Sequence, residues 1–252
     1  MLYVAIAVIV FVLSGVLAMA GLGAAFLFVP IFYWLGTPLS TASSTALLLN
    51  VVSLSFASAT YWRAHLVNLR LGIPVTIAAV ALAPLGALAA PHVPTNILLA
   101  LFAAFLLFAA SMMLFRHRKP AARKPNPSRA GELAVGSGVG GMAGFLGGLL
   151  GVGGGNIILP ALDSAGLEAK MAAGTTSLAV VFSSLSGFLG RISLGHLNPV
   201  LLAVSVTATA AGSLAGAHLM TSRISSPQLK RLIAVVLLAA AIKIIWDLAT
   251  SM

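Results

Sequence analysis

A glycine-rich stretch in the second half of the chain carries the clearest chemical signal. Six of the nine residues from Gly147 to Gly155 are glycine, and Asn156 follows them directly. Each glycine inside a helix costs about 1 kcal/mol relative to alanine, so this stretch predicts a helix break. A helix that restarts after the break begins with free backbone N–H groups and a partial positive charge, which together favour anions. We therefore expect the N–H groups of Gly153, Gly154 and Gly155 to bind an anion, with the Asn156 amide beside them.

Hydroxyl and amide side chains occur near the break and at the matching place in the first half of the chain. They lie in TASSTALLLN, residues 41–50, and in GTTS, residues 174–177. We expect several of them to hydrogen-bond the oxygens of a substrate, namely Ser44, Thr45, Asn50, Thr175 and Thr176. Capping of the next helix is an alternative role for the hydroxyls.

Basic residues end the two predicted spans that carry these hydroxyls. Arg63 follows the first span and Arg191 the second, so either arginine could balance the charge of a substrate at the mouth of the site. Reaching out to lipid headgroups is the alternative role for an arginine at the end of a span. The candidates for taking up and releasing protons are Asp163, His65 and His196. The alternative for Asp163 is that it lies in a surface loop and has no such role.

Other chemistries lack the residues that they need. The glycine stretch does not end in the Lys-Ser/Thr pair of a phosphate-binding loop, and Asn156 stands where a dinucleotide-binding motif needs its last glycine or alanine. No His–Glu pair has metal-ligand spacing, and the few acidic residues are scattered through the second half of the chain. We therefore expect no metal, no cofactor and no enzymatic activity.

The composition indicates which kind of element positions these residues. Of the 252 residues, 60% are hydrophobic and 7% are charged, whereas a soluble domain carries about 25% charged residues. No Lys, Arg, Asp or Glu occurs from Met1 to Trp62, which exceeds the ~20 apolar residues of one membrane span. The sequence predicts an all-α, polytopic integral membrane protein, with the lipid bilayer as its solvent and partner.

The positive charge indicates membrane orientation rather than nucleic-acid binding. The formal net charge is +10, and many of the basic residues lie between apolar runs. They concentrate in RHRKPAARKPNPSR, residues 116–129, and loops on the cytoplasmic side of a membrane are rich in Lys and Arg. We therefore predict a basic cytoplasmic linker over residues 116–131 and no nucleic-acid partner.

The two halves of the chain repeat one pattern. Adding 130 to a position in the first half returns the same residue type at several places, among them Gly21 and Gly151, Gly23 and Gly153, Pro30 and Pro160, Thr45 and Thr175, and Gly86 and Gly216. We predict two tandem transmembrane repeats, 1–115 and 132–252, on either side of the linker. The sequence leaves their relative orientation open, because an even number of crossings per repeat makes them parallel and an odd number makes them inverted.

Each repeat is predicted to contain four full spans and one short segment. The eight full spans are expected near 2–20, 42–61, 71–90, 95–115, 132–150, 174–190, 199–220 and 228–249. The short segments, near 24–35 and 155–165, hold about a dozen residues, or ~18 Å of helix, against a hydrocarbon core of ~30 Å. We expect them to be half-helices that begin at the glycine breaks.

The chain resembles the sulfite exporter TauE/SafE family of membrane permeases. The likeness lies in GVGGGNIILP, residues 151–160, and in AGTTS, residues 173–177, with a weaker echo at 21–30 and 42–45. The first repeat departs from the glycine-rich form at residues 24–26, which are Ala-Ala-Phe. The resemblance implies a prokaryotic, multi-pass transporter of the cytoplasmic (inner) membrane that moves sulfite, sulfoacetate and other organosulfonates, often outward.

The residues and the resemblance together favour a secondary transporter that exports a small sulfur-containing anion. The alternative is a membrane-embedded interaction or assembly subunit without transport activity, whose glycines serve helix contacts. Gly136, Gly140, Gly144 and Gly148 recur at every fourth position, which is typical of close helix packing. The sequence is compatible with a homo-oligomer. It leaves open which anion moves, in which direction, and what drives it.

Overall fold

The computed structural model describes residues 2–115, 129–191 and 199–225. In the C-terminal segment it describes residues 228, 231, 235, 238, 239, 241–243, 245 and 246. The regular structure in these ranges is helical, and they contain no β-strand. The prediction of an all-α chain is therefore confirmed for the described residues.

The helices follow the predicted segments to within a few residues. In chain order they are α1 Leu2–Met19, α2 Ala25–Trp34, α3 Leu39–Arg63, α4 Leu69–Ala89, α5 Thr95–Phe115, α6 Arg129–Leu150, α7 Gly155–Ser164, α8 Ala169–Arg191 and α9 Pro199–Ser222. A 3₁₀ turn, Ala90–His92, continues α4. The individually described residues from 228 to 246 are helical, and the rest of the span expected over 228–249 lies outside the described residues.

Helix length separates full spans from short segments. Five helices in the described ranges are long and apolar enough to cross a bilayer: α3, α4, α6, α8 and α9. The helices α2 and α7 contain 10 residues each, which is about 15 Å and half of a hydrocarbon core. Short helices are therefore present at both predicted breaks.

The helix α6 packs along α4 through its glycines. A Cβ atom added at Gly140 would overlap the carbonyl oxygen of Val75, and one added at Gly148 would overlap that of Ala83. Because both partners advance by eight residues, α4 and α6 run parallel and in register. Only glycine permits such a close approach between the two backbones, so the packing role predicted for this stripe is confirmed.

The helices α1 and α9 form a second parallel pair of the same kind. A Cβ atom at Gly212 would overlap the carbonyl oxygen of Phe11, and one at Gly216 would overlap that of Gly15. Ser14 in α1 also donates a hydrogen bond of 3.3 Å to Thr209 in α9. Both helices therefore advance in the same direction.

The helices α3 and α8 run in opposite directions through the centre of the molecule. Asn50 in α3 contacts Ser184 in α8, whereas Leu47, one turn earlier in α3, lies against Gly187, one turn later in α8. As the residue number increases along α3, the number of the residue that it contacts in α8 decreases. The short helix α2 packs against α3 and α7 against α8, so this antiparallel pair positions the polar residues of both halves.

Candidate functional site

The chain between α6 and α7 is a tight reversal that only glycine permits. Gly151, Gly153 and Gly154 have φ of 78°, 75° and 81°, a left-handed conformation that side chains with a Cβ rarely adopt. The N–H groups of Val152 and Gly153 both donate to the carbonyl oxygen of Gly147. The predicted break is therefore confirmed, and it is built from the residues that the sequence singled out.

The start of α7 leaves polar groups unused. The N–H groups of Ile157 and Ile158 both donate to the Gly154 carbonyl, whereas those of Gly155 and Asn156 make no hydrogen bond within the described ranges. The Asn156 side chain is 3% exposed, and neither of its amide atoms has a partner in the described part of the chain. A buried amide without partners is unusual in a folded protein and requires an explanation.

The two breaks meet at the centre of the molecule. A Cβ atom added at Gly155 would lie 3.0 Å from the carbonyl oxygen of Leu22, which belongs to the break between α1 and α2. Gly21 and Gly23 in that break also have positive φ. Both short helices therefore begin at one place, and their positive ends lie close to each other.

Asn50 joins the two breaks through its amide. Its Nδ2 donates to the Ser184 hydroxyl at 2.9 Å, and its Oδ1 accepts from the N–H of Ala25, the first residue of α2, at 3.4 Å. Ser183 donates to the Gly153 carbonyl at 2.8 Å. We refer to Asn50, Gly153, Ser183 and Ser184 as the central cluster. The structure thus brings together two of the predicted site residues, Asn50 and Gly153.

The sequence did not single out Ser183 and Ser184. They lie two turns after Thr176 in α8, on the same face of that helix. This spacing could have indicated that they belong to the same site as Thr176. Thr176 is fully buried, and its hydroxyl has no partner in the described residues. The predicted Thr176 therefore belongs to the same polar stripe as the two serines.

The remaining predicted hydroxyls form bonds within the fold. Thr175 donates to the Met171 carbonyl at 2.8 Å and accepts from the N–H of Asn68 at 2.9 Å, which ties α8 to the start of α4. Thr45 and Ser44 each donate to the carbonyl oxygen four residues earlier in α3. None of the three has a hydrogen bond to the central cluster among the described residues.

Arg191 is buried at the end of α8. Its side chain is 3% exposed. Its Nε and Nη2 donate to the Gly148 carbonyl at 3.2 and 2.8 Å, and Nη2 also donates to the Leu149 carbonyl at 2.7 Å. These carbonyls belong to the last turn of α6, the negative end of that helix, where a cation is favoured. Arg191 therefore does not extend to lipid headgroups.

A cavity of about 340 Å³ lies beside Arg191. It is lined by the second half of α2, the start of α3, the start of α5, the end of α6 and the end of α8, with the turn after α4. Ser40 and Ser43 from the start of α3 line it together with Thr95 from α5. Since α5 begins here, the cavity lies at the end of the molecule opposite to the linker, which follows α5.

The sulfite exporter TauE/SafE family model matches residues 6–244, which is nearly the whole chain. The chain belongs to this family. Membership implies a sulfite exporter-type membrane transporter, and the apolar helices of this TauE/SafE protein accord with a membrane location. The proteins of the family are transporters, not enzymes. No curated relative and no solved structure matches the chain.

The other charged candidates of this TauE/SafE protein lie apart from the central cluster. Arg63 and His65 are exposed at the end of α3, and His65 has a positive φ of 56°. Asp163 is half-buried near the end of α7, a full short helix away from the break. His196 lies outside the described residues. Within the described ranges, no three His, Asp or Glu side chains come together as a metal site.

Proposed function

We propose that this TauE/SafE protein is a secondary transporter that exports small sulfur-containing anions such as sulfite, sulfoacetate or other organosulfonates across the prokaryotic cytoplasmic (inner) membrane. Family membership supports the class of transporter. The observation that carries the proposal is the unused polar surface at the start of α7, where two backbone N–H groups and the buried Asn156 amide have no partner in the described residues.

The chemistry of the centre favours an anion over a cation. Two helix starts lie against each other there, and each contributes roughly half a positive charge. The donors include the N–H groups of Gly155 and Asn156, and no carboxylate lies in the central cluster. An oxyanion that has lost its water needs several such donors, because a buried charge without hydrogen bonds is very costly. We expect the substrate oxygens to accept from these groups, with Thr176 as a further partner.

We also propose that the chain consists of two inverted repeats, 1–115 and 132–252, with eight long helices and two short ones. Inversion requires an odd number of crossings per repeat, so each short helix, with the break before it, completes a fifth crossing. Gly86 lies against the Phe145 carbonyl, and Gly216 lies against the Gly15 carbonyl. The second contact is the first with each residue replaced by its equivalent in the other half, 130 positions away. The antiparallel course of α3 and α8, which correspond to each other, supports inversion. Parallel repeats would make these two helices run in the same direction.

The basic residues support one orientation of this arrangement. The helix α3 begins at the cavity and therefore ends, with Arg63, on the linker side. The helix α8 ends at the cavity with Arg191, so α9 returns towards the linker side and ends before Arg223. The linker, Arg63 and Arg223 then share one side of the membrane, which the positive-inside tendency assigns to the cytoplasm.

The Asn156→Leu variant tests the proposed site. Leucine has a similar volume, and the change removes no hydrogen bond from the described fold, because the amide has none. We expect the variant to fold, to reconstitute into liposomes and to lose flux of radiolabelled sulfite at least tenfold. Asn96→Leu, the same chemical change at an exposed position at the start of α5, is the matched control. Unchanged flux in Asn156→Leu would contradict the proposed site.

The alternative function is a membrane-embedded interaction or assembly subunit without transport. That alternative uses the glycine stripe for contacts with a partner, whereas Gly140, Gly144 and Gly148 contact α4 within the same chain. Liposomes that contain only this protein discriminate between the two functions, because an assembly subunit produces no flux without its partner.

A further inference from the structure

We propose that the cavity beside Arg191 is a binding site for an organic anion that carries a short apolar chain. The inference rests on the proposed function, since it assigns a second place where the transported anion binds, at the face of the molecule opposite to the linker. The central cluster and this cavity are separate, because none of Asn50, Gly153, Ser183 and Ser184 lines the cavity.

The first argument is the charge of Arg191. It is 3% exposed, and no ion pair to it is present among the described residues. The negative end of α6 offsets part of the cost of burying the guanidinium, but a buried cation without a counterion remains unfavourable. None of the residues that line the cavity is acidic. An anion in the cavity would supply the missing countercharge.

The second argument is the set of hydrogen-bond donors among the residues that line the cavity. Nε and Nη2 of Arg191 are used by carbonyls of α6, while Nη1 makes no hydrogen bond within the described ranges. Leu39 and Ser40 in the first turn of α3, and Ser43 just after it, also line the cavity, so the positive end of that helix lies beside it. A guanidinium N–H and a helix start suit the oxygens of a sulfonate or a carboxylate.

The third argument is the apolar character of the remaining wall. Apolar side chains, among them Val29, Leu98 and Phe102, make up most of the remaining lining. An inorganic oxyanion without a carbon chain would leave this apolar wall without an apolar partner. A ligand that has an anionic head and an apolar chain fills both parts, and about 340 Å³ falls within the range of small-molecule sites.

The opposite face of the molecule has a neutral residue at the corresponding place. Tyr61, 130 positions before Arg191, donates to the Ala18 carbonyl at the end of α1, as Arg191 does to Gly148 at the end of α6. Of these two equivalent positions, only residue 191 is a cation. In the inverted arrangement, the organic anion binds more strongly at the face opposite to the linker.

A homologous series of ligands tests the proposal on the unaltered protein. The purified protein is placed in nanodiscs of zwitterionic lipid, and binding of methane-, ethane-, propane- and butanesulfonate is measured by calorimetry. We expect the affinity to rise roughly fourfold for each added CH₂ group. Butanesulfonamide, which has the same chain and no charge, is expected to bind at least tenfold more weakly. Equal affinity across the series, or equal affinity for the sulfonamide, would overturn the proposal.

A variant with a matched control, measured beside sulfite flux, separates this proposal from the proposed function. Arg191→Gln is expected to lose sulfonate binding at least tenfold, whereas Arg223→Gln, the same change at an exposed position after α9, is expected to keep it. If flux is absent in every protein but sulfonates bind as expected, the proposed function fails and the cavity site stands. If flux is normal and sulfonates do not bind, the cavity site fails alone. Competition by phosphatidylglycerol at membrane concentrations would mean that the cavity holds lipid, which also overturns the proposal.

Discussion

Tyr61 and Arg191 lie 130 residues apart and make the same structural contact in the two halves of the protein. Tyr61 donates to the carbonyl oxygen of Ala18, and Arg191 donates to that of Gly148, which is also 130 residues further on. Each bond ties the end of a long helix to the last turn of the helix before a break. The two halves therefore keep one geometry while the chemistry at this position changes from a neutral phenol to a cation.

Loss of these ties is expected to destabilise the protein unequally. Tyr61→Phe keeps the packing and removes one buried hydrogen bond, which costs about 1 kcal/mol. Arg191→Met leaves the Gly148 and Leu149 carbonyls without their donor, and we expect a cost of about 2–3 kcal/mol. Thermal unfolding in detergent measures the loss of stability in both variants. A larger loss for Tyr61→Phe than for Arg191→Met would contradict the assignment.

The contact between α4 and α6 predicts opposite effects for two alanine substitutions in one helix. A Cβ atom at Gly144 would overlap the Ala79 carbonyl, whereas one at Gly138 meets nothing within 4 Å. Gly144→Ala is expected to lower stability by about 1–3 kcal/mol through overpacking, and Gly138→Ala to raise it by up to about 1 kcal/mol through helix propensity. Chemical denaturation in detergent compares them, and the same sign for both would refute the packing of this pair.

The bond between Asn50 and Ser184 predicts an energetic coupling across the two halves. A double-mutant cycle with Asn50→Ala and Ser184→Ala isolates the interaction between the two side chains. Asn50 Nδ2 and Ser184 Oγ are 2.9 Å apart. We expect a coupling free energy of about 1 kcal/mol, the net value of a buried hydrogen bond. The cycle is measured by unfolding in detergent, and strictly additive effects would mean that the two side chains do not interact.

Two left-handed glycines separate backbone strain from lack of space. Gly154 has φ of 81° and no room for a Cβ beside the Ala143 carbonyl, whereas Gly166 has φ of 97° and nothing within 4 Å. Gly166→Ala is expected to cost only the strain, about 1–2 kcal/mol, and to retain sulfite flux. Gly154→Ala is expected to cost more and to abolish flux, because it displaces the start of α7. Normal flux in Gly154→Ala would contradict the role of the break.

Local signals sufficed for the helices and the breaks. Long apolar runs predicted the spans, and clustered glycines predicted the reversal at Gly151 to Gly154, because both depend on residues that are adjacent in sequence. The stripe from Gly136 to Gly148 likewise predicted close packing through its spacing alone. These features could be predicted without knowing which helix packs against them.

The site required contacts that no local pattern contains. Arg63 and Arg191 look alike in sequence, as basic residues at the end of a span, yet Arg63 is exposed and Arg191 is buried against α6. Ser183 and Ser184 lie at the centre only because α8 packs there against α3 and against the break. The sequence also left the orientation of the repeats open, since the charges at the span ends are compatible with both arrangements.

Flux through liposomes that contain only this protein tests the central claim most directly. Radiolabelled sulfite and sulfoacetate are loaded on one side, and movement is followed with and without a pH gradient. The proposed transporter predicts saturable flux of at least one of the two anions, which Asn156→Leu abolishes and Asn96→Leu preserves. Absence of flux for both anions, in protein shown to be folded, would contradict the account.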